Sequence, residues 1–296
     1  NVFFLMMGAV MSNADDKIES QIKTKAFDIE LLNPFWKNTL MKEESLFLAE
    51  RVKGQLATAT LLFPPEKIES VKSANGEIIF EEGKDSTVDK VLGVLTLLSG
   101  TKIPNKKLEE MYLPKDSTLP KYGYKRGDPN TFLIFGEGHF FHDLQVTVTY
   151  THKEHLWKGY TPVFSGSELP KTFKKLNEKS ALTLCLSGDS ISAGANASGF
   201  TKAAPFLPSY GELVKLGLEK NFGSKINFKN FAVGGWRSDN GVSDASKLAA
   251  EKPDLVIIAY GMNDSGGSSP ETYASNIKKI MNKILETSPD AEFILV

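Results

Sequence analysis

Three apolar runs in the second half of the chain each stop at a short polar motif that contains glycine. The runs cover residues 181–186, 226–228 and 255–260. Such runs are typical of strands that are buried on both faces of a parallel sheet. Helical patterns separate them, which predicts a βαβ order with right-handed crossovers. Because the carboxyl ends of parallel strands lie along one edge, where ligands bind, we expect the three motifs to meet there.

The three motifs contain the groups that serine catalysis requires. The first presents the hydroxyl of Ser190, the second offers backbone N–H groups beside Gly235, and the third offers the side-chain amide of Asn263. A serine hydroxyl surrounded by N–H donors can attack an ester carbonyl and stabilise the oxyanion that forms. The pattern therefore predicts a serine nucleophile with an oxyanion hole.

In order and spacing, these motifs resemble those of the SGNH, or GDSL-type, hydrolase family of serine esterases. The matching segments are Gly188-Asp189-Ser190, Asn230 to Gly235, and Gly261-Met262-Asn263-Asp264. The resemblance implies a flavodoxin-like parallel sheet with helices on both faces, over residues 180–296. It also implies that Ser190 is the catalytic nucleophile and an oxyanion donor, with Gly235 and Asn263 as the other donors. Gly234 is adjacent to Gly235 and is the alternative backbone donor. No cofactor is implied.

An α/β-hydrolase is the alternative serine hydrolase fold, and local sequence argues against it. The residues around Ser190 are Gly-Asp-Ser-Ile-Ser, whereas that fold uses Gly-x-Ser-x-Gly. Neither a phosphate-binding loop nor a dinucleotide fingerprint is present in the sequence, which argues against a kinase or an oxidoreductase.

The Asp-x-x-His motif that completes the resembled family is missing from the sequence. All four histidines precede Ser190, and none has an aspartate three residues before it. Residues 291–296 form an apolar run that predicts a fourth parallel strand. We therefore expect the chain to be a piece of a longer protein that lacks a helix–strand unit of about thirty residues or more at its carboxyl end.

The amino-terminal residues 1–14 resemble the remnant of a signal peptide. Residues 2–11 are apolar, and Ser12-Asn13-Ala14 supplies small residues of the kind found at cleavage sites. The apolar stretch is too short to cross a bilayer, so no membrane span is expected in the mature protein. These features predict a secreted or periplasmic bacterial protein; a buried amino-terminal strand is the alternative.

Residues 15–168 show the patterns of an all-β accessory domain of sandwich or jelly-roll-like type. Strands are predicted at 55–63, 131–135 and 143–150, with a hairpin over 69–80 around Asn75-Gly76. Residues 169–179 are predicted to be a linker to the hydrolase domain at 180–296. In that domain Ser209 with Glu212 and Ser269 with Pro270 predict two helix starts, and a third helix is expected near 239–250.

Other candidate residues have structural alternatives. Trp236 and Arg237 follow the glycine pair and are predicted to contact substrate; packing at a helix start is the alternative. His139 with His142, and His152 with His155, have metal-ligand spacing. However, residues three apart on a strand face opposite sides and no cysteine accompanies them, so no metal site is predicted. The single cysteine, Cys185, is expected to be a small buried residue of the first parallel strand.

The formal net charge of −1 argues against a nucleic-acid partner. A β domain joined to a hydrolase of this type resembles carbohydrate acetylesterases, so the expected activity is deacetylation of a carbohydrate, either xylan-type or an oligosaccharide. A lipase, arylesterase or thioesterase would use the same residues. A catalytically degenerate carbohydrate-binding protein is the alternative from another class. The sequence gives no indication of the oligomeric state.

Overall fold

The structure is a computed structural model that describes residues 27–164 and 166–296. The predicted signal-peptide remnant at residues 1–14 lies outside the described residues. No helix in the described part of the chain is long and apolar enough to cross a membrane.

The first half consists of antiparallel sheets, as predicted. A four-stranded sheet has the strand order β1-β10-β3-β4, and two three-stranded sheets have the orders β2-β6-β5 and β7-β9-β8. The strands are β1 (Leu40–Phe47), β2 (Thr58–Thr60), β3 (Pro65–Ser73), β4 (Ile79–Phe80), β5 (Ser86–Asp89), β6 (Val94–Leu97), β7 (Tyr112–Pro114), β8 (Lys121–Lys125), β9 (Asp128–Ile134) and β10 (Gln145–His152). Short 3₁₀ helices cover Ile29–Leu32, Phe35–Lys37 and Leu108–Glu110, and helix α1 covers Phe140–Asp143.

Strand β10 shows why this half folds as a sheet with a core on one side. Val146, Val148 and Tyr150 are fully buried, while the residues between them are partly exposed. This is the alternation expected of a strand with one face on a core. The Asn75-Gly76 hairpin joins β3 to β4, and Gly76 has the positive φ of 76° that such turns need.

The second half is a parallel sheet with helices on both faces, which confirms the predicted α/β class. Its strand order is β12-β11-β13-β14. The strands are β11 (Leu182–Gly188), β12 (Ile226–Asn230), β13 (Leu255–Ala259) and β14 (Glu292–Leu295). The helices are α2 (Pro170–Asn177), α3 (Ser190–Ala193), α4 (Tyr210–Phe222), α5 (Ser238–Ala250) and α6 (Pro270–Leu285), and a 3₁₀ turn covers Asp264–Gly266.

Two apolar clusters bury the two faces of this sheet. Helices α5 and α6 cover one face, where Leu248 and Ile280 pack against Cys185 of β11. Helices α2 and α4 cover the other face. Burial raises the pKa of the Cys185 thiol to about 12, so this cysteine is a packing residue, as expected.

The predicted helix ends are confirmed for α4 and α6. The capping box of Ser209 and Glu212 begins α4, and Gly223 ends it with a φ of 68°. The Ser269 hydroxyl accepts a hydrogen bond from the N–H of Thr272 at the start of α6. These local signals fix where each helix begins, and they leave the loops that carry the three motifs at the carboxyl edge of the sheet.

The predicted linker at 169–179 contains helix α2. Leu176 is fully buried under the parallel sheet. The Glu292 carboxylate, from the first residue of β14, accepts hydrogen bonds from the N–H groups of Lys171 at 3.0 Å and Thr172 at 2.7 Å. The helix is therefore part of the α/β unit, because a carboxylate 120 residues away satisfies its first N–H groups.

Glu292→Gln is expected to destabilise the chain by about 1 kcal/mol near neutral pH. Burial alone would raise the pKa of this carboxyl, but the hydrogen bonds from Lys171 and Thr172 outweigh it, and the pKa lies below its ordinary 4.5. Because the folded pKa is lowered, the ionised group stabilises the fold above pH 4.5, and this contribution is lost as the pH falls below that value. Urea unfolding of both proteins across this range should show the difference shrinking with acid. Glu286→Gln, at an exposed carboxylate paired with Lys283, is the control.

Candidate active site

Strand β11 delivers Ser190 to the carboxyl edge of the parallel sheet. Asp189 follows the strand, is almost fully buried, and accepts a hydrogen bond from the N–H of Ile191 at 3.0 Å. Ser190 is thus the first residue of α3, and Gly194 ends that short helix with a φ of 98°. In the strand order β12-β11-β13, this is the topological switch point, where open α/β sheets bind ligands.

Gly188 is required by close packing. A Cβ at this position would lie 2.4 Å from the Ser192 hydroxyl oxygen and 2.6 Å from the carbonyl oxygen of Ala259. These two neighbours leave no room for a side chain. The end of β11 is therefore held tightly against the end of β13.

The second motif runs alongside the end of β11. The N–H of Phe231 donates to the carbonyl of Leu186 at 2.8 Å, and the N–H of Val233 donates to the carbonyl of Gly188 at 3.1 Å. These bonds continue the pairing of β12 beyond its last residue. A Cβ on Gly234 would lie 3.9 Å from Ser190 Cβ, whereas one on Gly235 would have no neighbour within 4 Å, so Gly234 is the glycine next to the predicted nucleophile.

The glycine pair forms a tight turn beside Ser190. The N–H of Trp236 donates to the carbonyl of Val233 at 3.2 Å, and Gly235 has a φ of 78°, which favours glycine. Within residues 27–164 and 166–296, the N–H groups of Ser190, Gly234 and Gly235 donate no hydrogen bond to the protein. Three backbone donors on Ser190 and the adjacent glycine pair therefore remain without a protein acceptor, and of the two glycines Gly234 is the one that lies next to Ser190.

The third motif is attached to the second by Asn263. Its Nδ2 donates to the carbonyl of Trp236 at 2.9 Å, which engages one of the two amide hydrogens. The next residue, Asp264, is buried and accepts hydrogen bonds from the Ser238 hydroxyl at 2.6 Å and the Ser238 N–H at 3.1 Å. Asp264 therefore caps α5 and fixes the loop that carries Asn263. The catalytic roles of Ser190, Gly235 and Asn263 stay predictions.

Each of the three motifs carries an exposed apolar side chain, and we call these three side chains the apolar rim. Ile191, Val233 and Met262 each come from a different motif, and they are 54%, 41% and 65% exposed. Ile191 and Met262 also line a cavity of about 240 Å³ together with Ser192, Tyr210, Tyr260 and Val296, and Ser190 is not among its lining residues.

Two tyrosines support this cavity as neutral hydrogen-bonding groups. The Tyr210 hydroxyl lies 2.7 Å from the Ser192 hydroxyl, and the Tyr260 hydroxyl lies 2.9 Å from that of Ser187. Burial raises the pKa of both phenols above the ordinary value, so both stay protonated at neutral pH. Sequence reasoning did not single out these tyrosines or the apolar rim. The available signal for the rim was the apolar residue next to each candidate site residue: Ile191 follows Ser190, Val233 precedes the glycine pair, and Met262 precedes Asn263.

Trp236 and Arg237 are both engaged within the fold. Trp236 is half-buried and packs on the apolar cluster between the sheet and helices α5 and α6. The Arg237 guanidinium lies 3.4 Å from the Asp239 carboxylate at the start of α5. These contacts match the structural alternative, and contact with substrate stays a prediction for both residues.

The four histidines occupy the first half of the chain. His142 Nε2 donates to the carbonyl of Ala204 at 2.7 Å, and His139 Nδ1 lies 2.5 Å from the Asp143 carboxylate. His152 is buried in β10 against Phe63, and His155 is exposed. In the part of the chain that the structure describes, no set of three or more histidine, cysteine or acidic side chains is arranged to hold a metal ion.

The chain was compared with known families and structures. No curated protein matches it significantly. Among solved structures it is similar to a two-domain esterase (CEX) active on acetylated mannans, with 25% identity, a TM-score of 0.38, and coverage of 44% of this chain and 33% of that one. It is also similar to TesA, with 29% identity, a TM-score of 0.32, and coverage of 38% and 58%. The chain thus spans about a third to three fifths of these structures.

One family model matches the chain. It is that of the GDSL-like lipase/acylhydrolase family, and the match covers residues 186–296. This range contains all three motifs on which the resemblance rested, from Ser190 to Asn263. Residues 186–296 are therefore similar to the GDSL-like lipase/acylhydrolase family, in agreement with the resemblance that the three motifs indicated.

Proposed function

We propose that the chain belongs to a serine esterase that hydrolyses carboxylic esters through an acyl-enzyme on Ser190. The observation that carries this proposal is that Gly234 lies beside Ser190, while in the described residues the N–H groups of Ser190, Gly234 and Gly235 donate no hydrogen bond to the protein. The Ser190 oxygen would attack the carbonyl carbon and the N–H groups would hold the oxyanion. The alcohol would then leave, and water would cleave the acyl group from Ser190.

The proposed substrate is an acetyl ester of a carbohydrate. The two neighbours of Ser190 in sequence, Asp189 and Ile191, line a cavity of about 240 Å³, a volume that suits a short acyl group. The alcohol side of the site would face the β domain, since Gly138 and His142 of that domain contact the loop that follows Ser190. Esterases of the same family with other substrates would share the catalytic residues, and the exposed Ile191, Val233 and Met262 favour a lipase, arylesterase or thioesterase as the second candidate.

The localisation of the protein is a separate proposal. We infer from residues 1–14 that it is secreted or periplasmic. Expression with a carboxyl-terminal tag, followed by fractionation and amino-terminal sequencing, tests this. A mature protein that begins near Asp15 outside the cytoplasm supports the proposal, and an intact amino terminus in the cytoplasm contradicts it.

The acyl-enzyme is expected to accumulate on Ser190 when the chain is incubated with p-nitrophenyl acetate at alkaline pH. Hydroxide can take the serine proton there, while the oxyanion donors still favour attack at this one hydroxyl. Peptide mass spectrometry should localise an acetyl group to Ser190, and Ser190→Ala should remove it.

Ser192→Ala is the matched control, because Ser192 lies two residues further on and its hydroxyl is buried against Tyr210. It should leave the adduct in place. An acetyl group spread over surface residues, with none on Ser190, would contradict the proposal and favour a catalytically degenerate binding protein.

A further inference from the structure

The loop after the nucleophile helix is a compact unit, and we call residues 194–209 the nucleophile loop. Its ends meet, since a Cβ on Gly194 would lie 2.8 Å from Ser209 Cβ. Inside it, the N–H of Gly199 donates to the carbonyl of Leu207 at 2.9 Å, and the N–H of Leu207 donates to the Ser198 hydroxyl at 2.8 Å. Such closed loops are frequently functional.

The nucleophile loop is fastened to the β domain. The N–H of Gly138 donates to Asn196 Oδ1 at 2.9 Å, and His142 Nε2 donates to the carbonyl of Ala204. A third bond connects the next element, since the Lys220 ammonium of α4 donates to Asn33 Oδ1 at 3.2 Å. The two halves of the chain thus meet directly downstream of Ser190.

A cavity of about 290 Å³ lies at this junction and is lined from both halves. Its floor is the outer face of the four-stranded sheet, where Lys72 and Thr147 are direct cross-strand partners. Glu43 borders the same floor from the bulge in β1. The opposite wall is the segment 204–207 of the nucleophile loop. Domain junctions are where ligand pockets concentrate, and this volume is close to the lower end of their usual range.

Strained backbone faces the cavity from both sides. Glu43 has a φ of 54° and Phe206 a φ of 60°, values that residues with side chains rarely adopt. Such conformations cluster at active sites and ligand clamps. Glu43 belongs to the β domain and Phe206 to the nucleophile loop. Each half of the chain therefore contributes one residue with strained backbone to the lining of the same cavity.

Polar groups at the cavity are open to a ligand. In the described residues, the Glu43 carboxylate, the Lys72 ammonium and the Thr147 hydroxyl make no hydrogen bond or ion pair, although all three residues are half-buried. The Phe206 ring supplies an apolar wall. Acceptors and donors beside an aromatic ring suit a ligand that carries many hydroxyl groups on a carbon framework.

The charge of the lining selects against anions. The lining carboxylates are Asp28, Glu43 and Glu77, and Lys72 supplies the ammonium. Asp28 also pairs with Lys42, and Glu77 accepts from the Asn75 amide. An acidic sugar would add a further negative charge to this half-buried surface, which disfavours its binding.

We propose that this junction cavity binds a neutral sugar residue of the glycan whose ester Ser190 cleaves. The inference rests on the proposed esterase function and extends it to the alcohol part of the substrate. The cavity would hold roughly one or two sugar residues, given its volume.

Isothermal titration calorimetry with neutral oligosaccharides tests the proposal on the 296-residue chain. Xylopentaose and mannopentaose are the neutral probes, and an oligogalacturonate is the anionic one. We expect at least one neutral probe to bind and the anionic probe to bind at least about tenfold more weakly. Lys72→Ala should weaken binding about tenfold or more, since a charged hydrogen-bond donor is lost. Thr147→Trp, which fills the cavity, should abolish it.

Lys67→Ala is the matched control, because Lys67 lies on the same strand β3, is exposed and pairs with Glu69 outside the cavity. It should leave binding unchanged. The proposal is wrong if no neutral probe binds, if the anionic probe binds best, or if Lys72→Ala and Lys67→Ala behave alike. If thermal unfolding shows that Thr147→Trp does not fold, Lys72→Ala decides the test.

The acetyl adduct on Ser190 separates this proposal from the function on which it rests. A small ester needs no sugar site, so the cavity variants should form the adduct at the wild-type rate. If Ser190 is acetylated but no oligosaccharide binding is weakened by the cavity variants, the sugar site is wrong and the esterase function stands. If the cavity variants weaken oligosaccharide binding but Ser190 is not acetylated, the esterase function is wrong and the protein is a carbohydrate-binding protein.

Discussion

Turnover of p-nitrophenyl acetate by the 296-residue chain is expected to be several orders of magnitude slower than that of serine hydrolases with a paired histidine. Loss of the triad histidine costs about a millionfold in subtilisin. His142 is bound to the carbonyl of Ala204, His139 is paired with Asp143, and His152 is buried in the β domain. Ser190 therefore has no histidine base among the contacts of the described residues.

Steady-state rates with and without added imidazole provide the measurement. Free imidazole can act as the base and should raise the Ser190-dependent rate, after subtraction of the rate with the Ser190→Ala chain, which measures hydrolysis by imidazole alone. Enzymatic rates without imidazole would contradict the expectation. His139 would then be the first candidate, because a carboxylate already holds its Nδ1 and the neighbouring Gly138 contacts the nucleophile loop.

Asn263→Ala is expected to slow formation of the Ser190 adduct by roughly a hundredfold to a thousandfold, the effect of removing one oxyanion donor from a serine protease. One amide hydrogen of Asn263 bonds to the carbonyl of Trp236, and that bond would orient the other for the oxyanion. The rate of acetyl transfer to Ser190, followed by mass spectrometry, measures the loss.

Two further variants distinguish the loss of the Asn263 N–H donor from a general disturbance of the structure. Asn263→Asp keeps the size of the side chain and removes the N–H donors, so it should be as slow as the alanine variant. Asn282→Ala, at an exposed position of α6, should react at the wild-type rate. Equal rates for Asn263→Ala and wild type would exclude Asn263 from the oxyanion hole.

The elements with strong local signals were predictable from the sequence. Helix α4 carries both a capping box at Ser209 and a terminal Gly223, and β10 alternates without interruption. The two central parallel strands, β11 and β13, were equally clear, because both of their faces are covered and nearly every residue is apolar. In these segments local preference and tertiary packing agree.

The missed elements lack such signals. Helix α2 is mostly polar, and only packing under the sheet and the distant Glu292 carboxylate reveal it. Strand β1 contains a bulge between Met41 and Glu44, which breaks the alternation that would have marked it. Strand β2 was predicted over 55–63 and covers only Thr58–Thr60.

The candidate site was predictable in its polar residues and not in its surroundings. Motif order indicated that Ser190, the glycine pair and Asn263 belong to one edge, and the hydrogen bonds among their loops follow that order. Which glycine lies nearest the hydroxyl depends on a turn with a positive φ at Gly235, and both glycines look alike in the sequence. The junction cavity depends on contacts between distant segments, which no local pattern reports.

The three loops of the site are joined chiefly through the main chain, and this frees the side chains around them to vary. The bonds Phe231 to Leu186, Val233 to Gly188 and Asn263 to the carbonyl of Trp236 do not involve the side chains of Ile191, Val233 or Met262. Replacement of those three would reshape the entrance without displacing the reacting groups. In a scaffold arranged in this way, a few substitutions at the entrance can change its shape and polarity while the main-chain bonds that join the three loops stay in place.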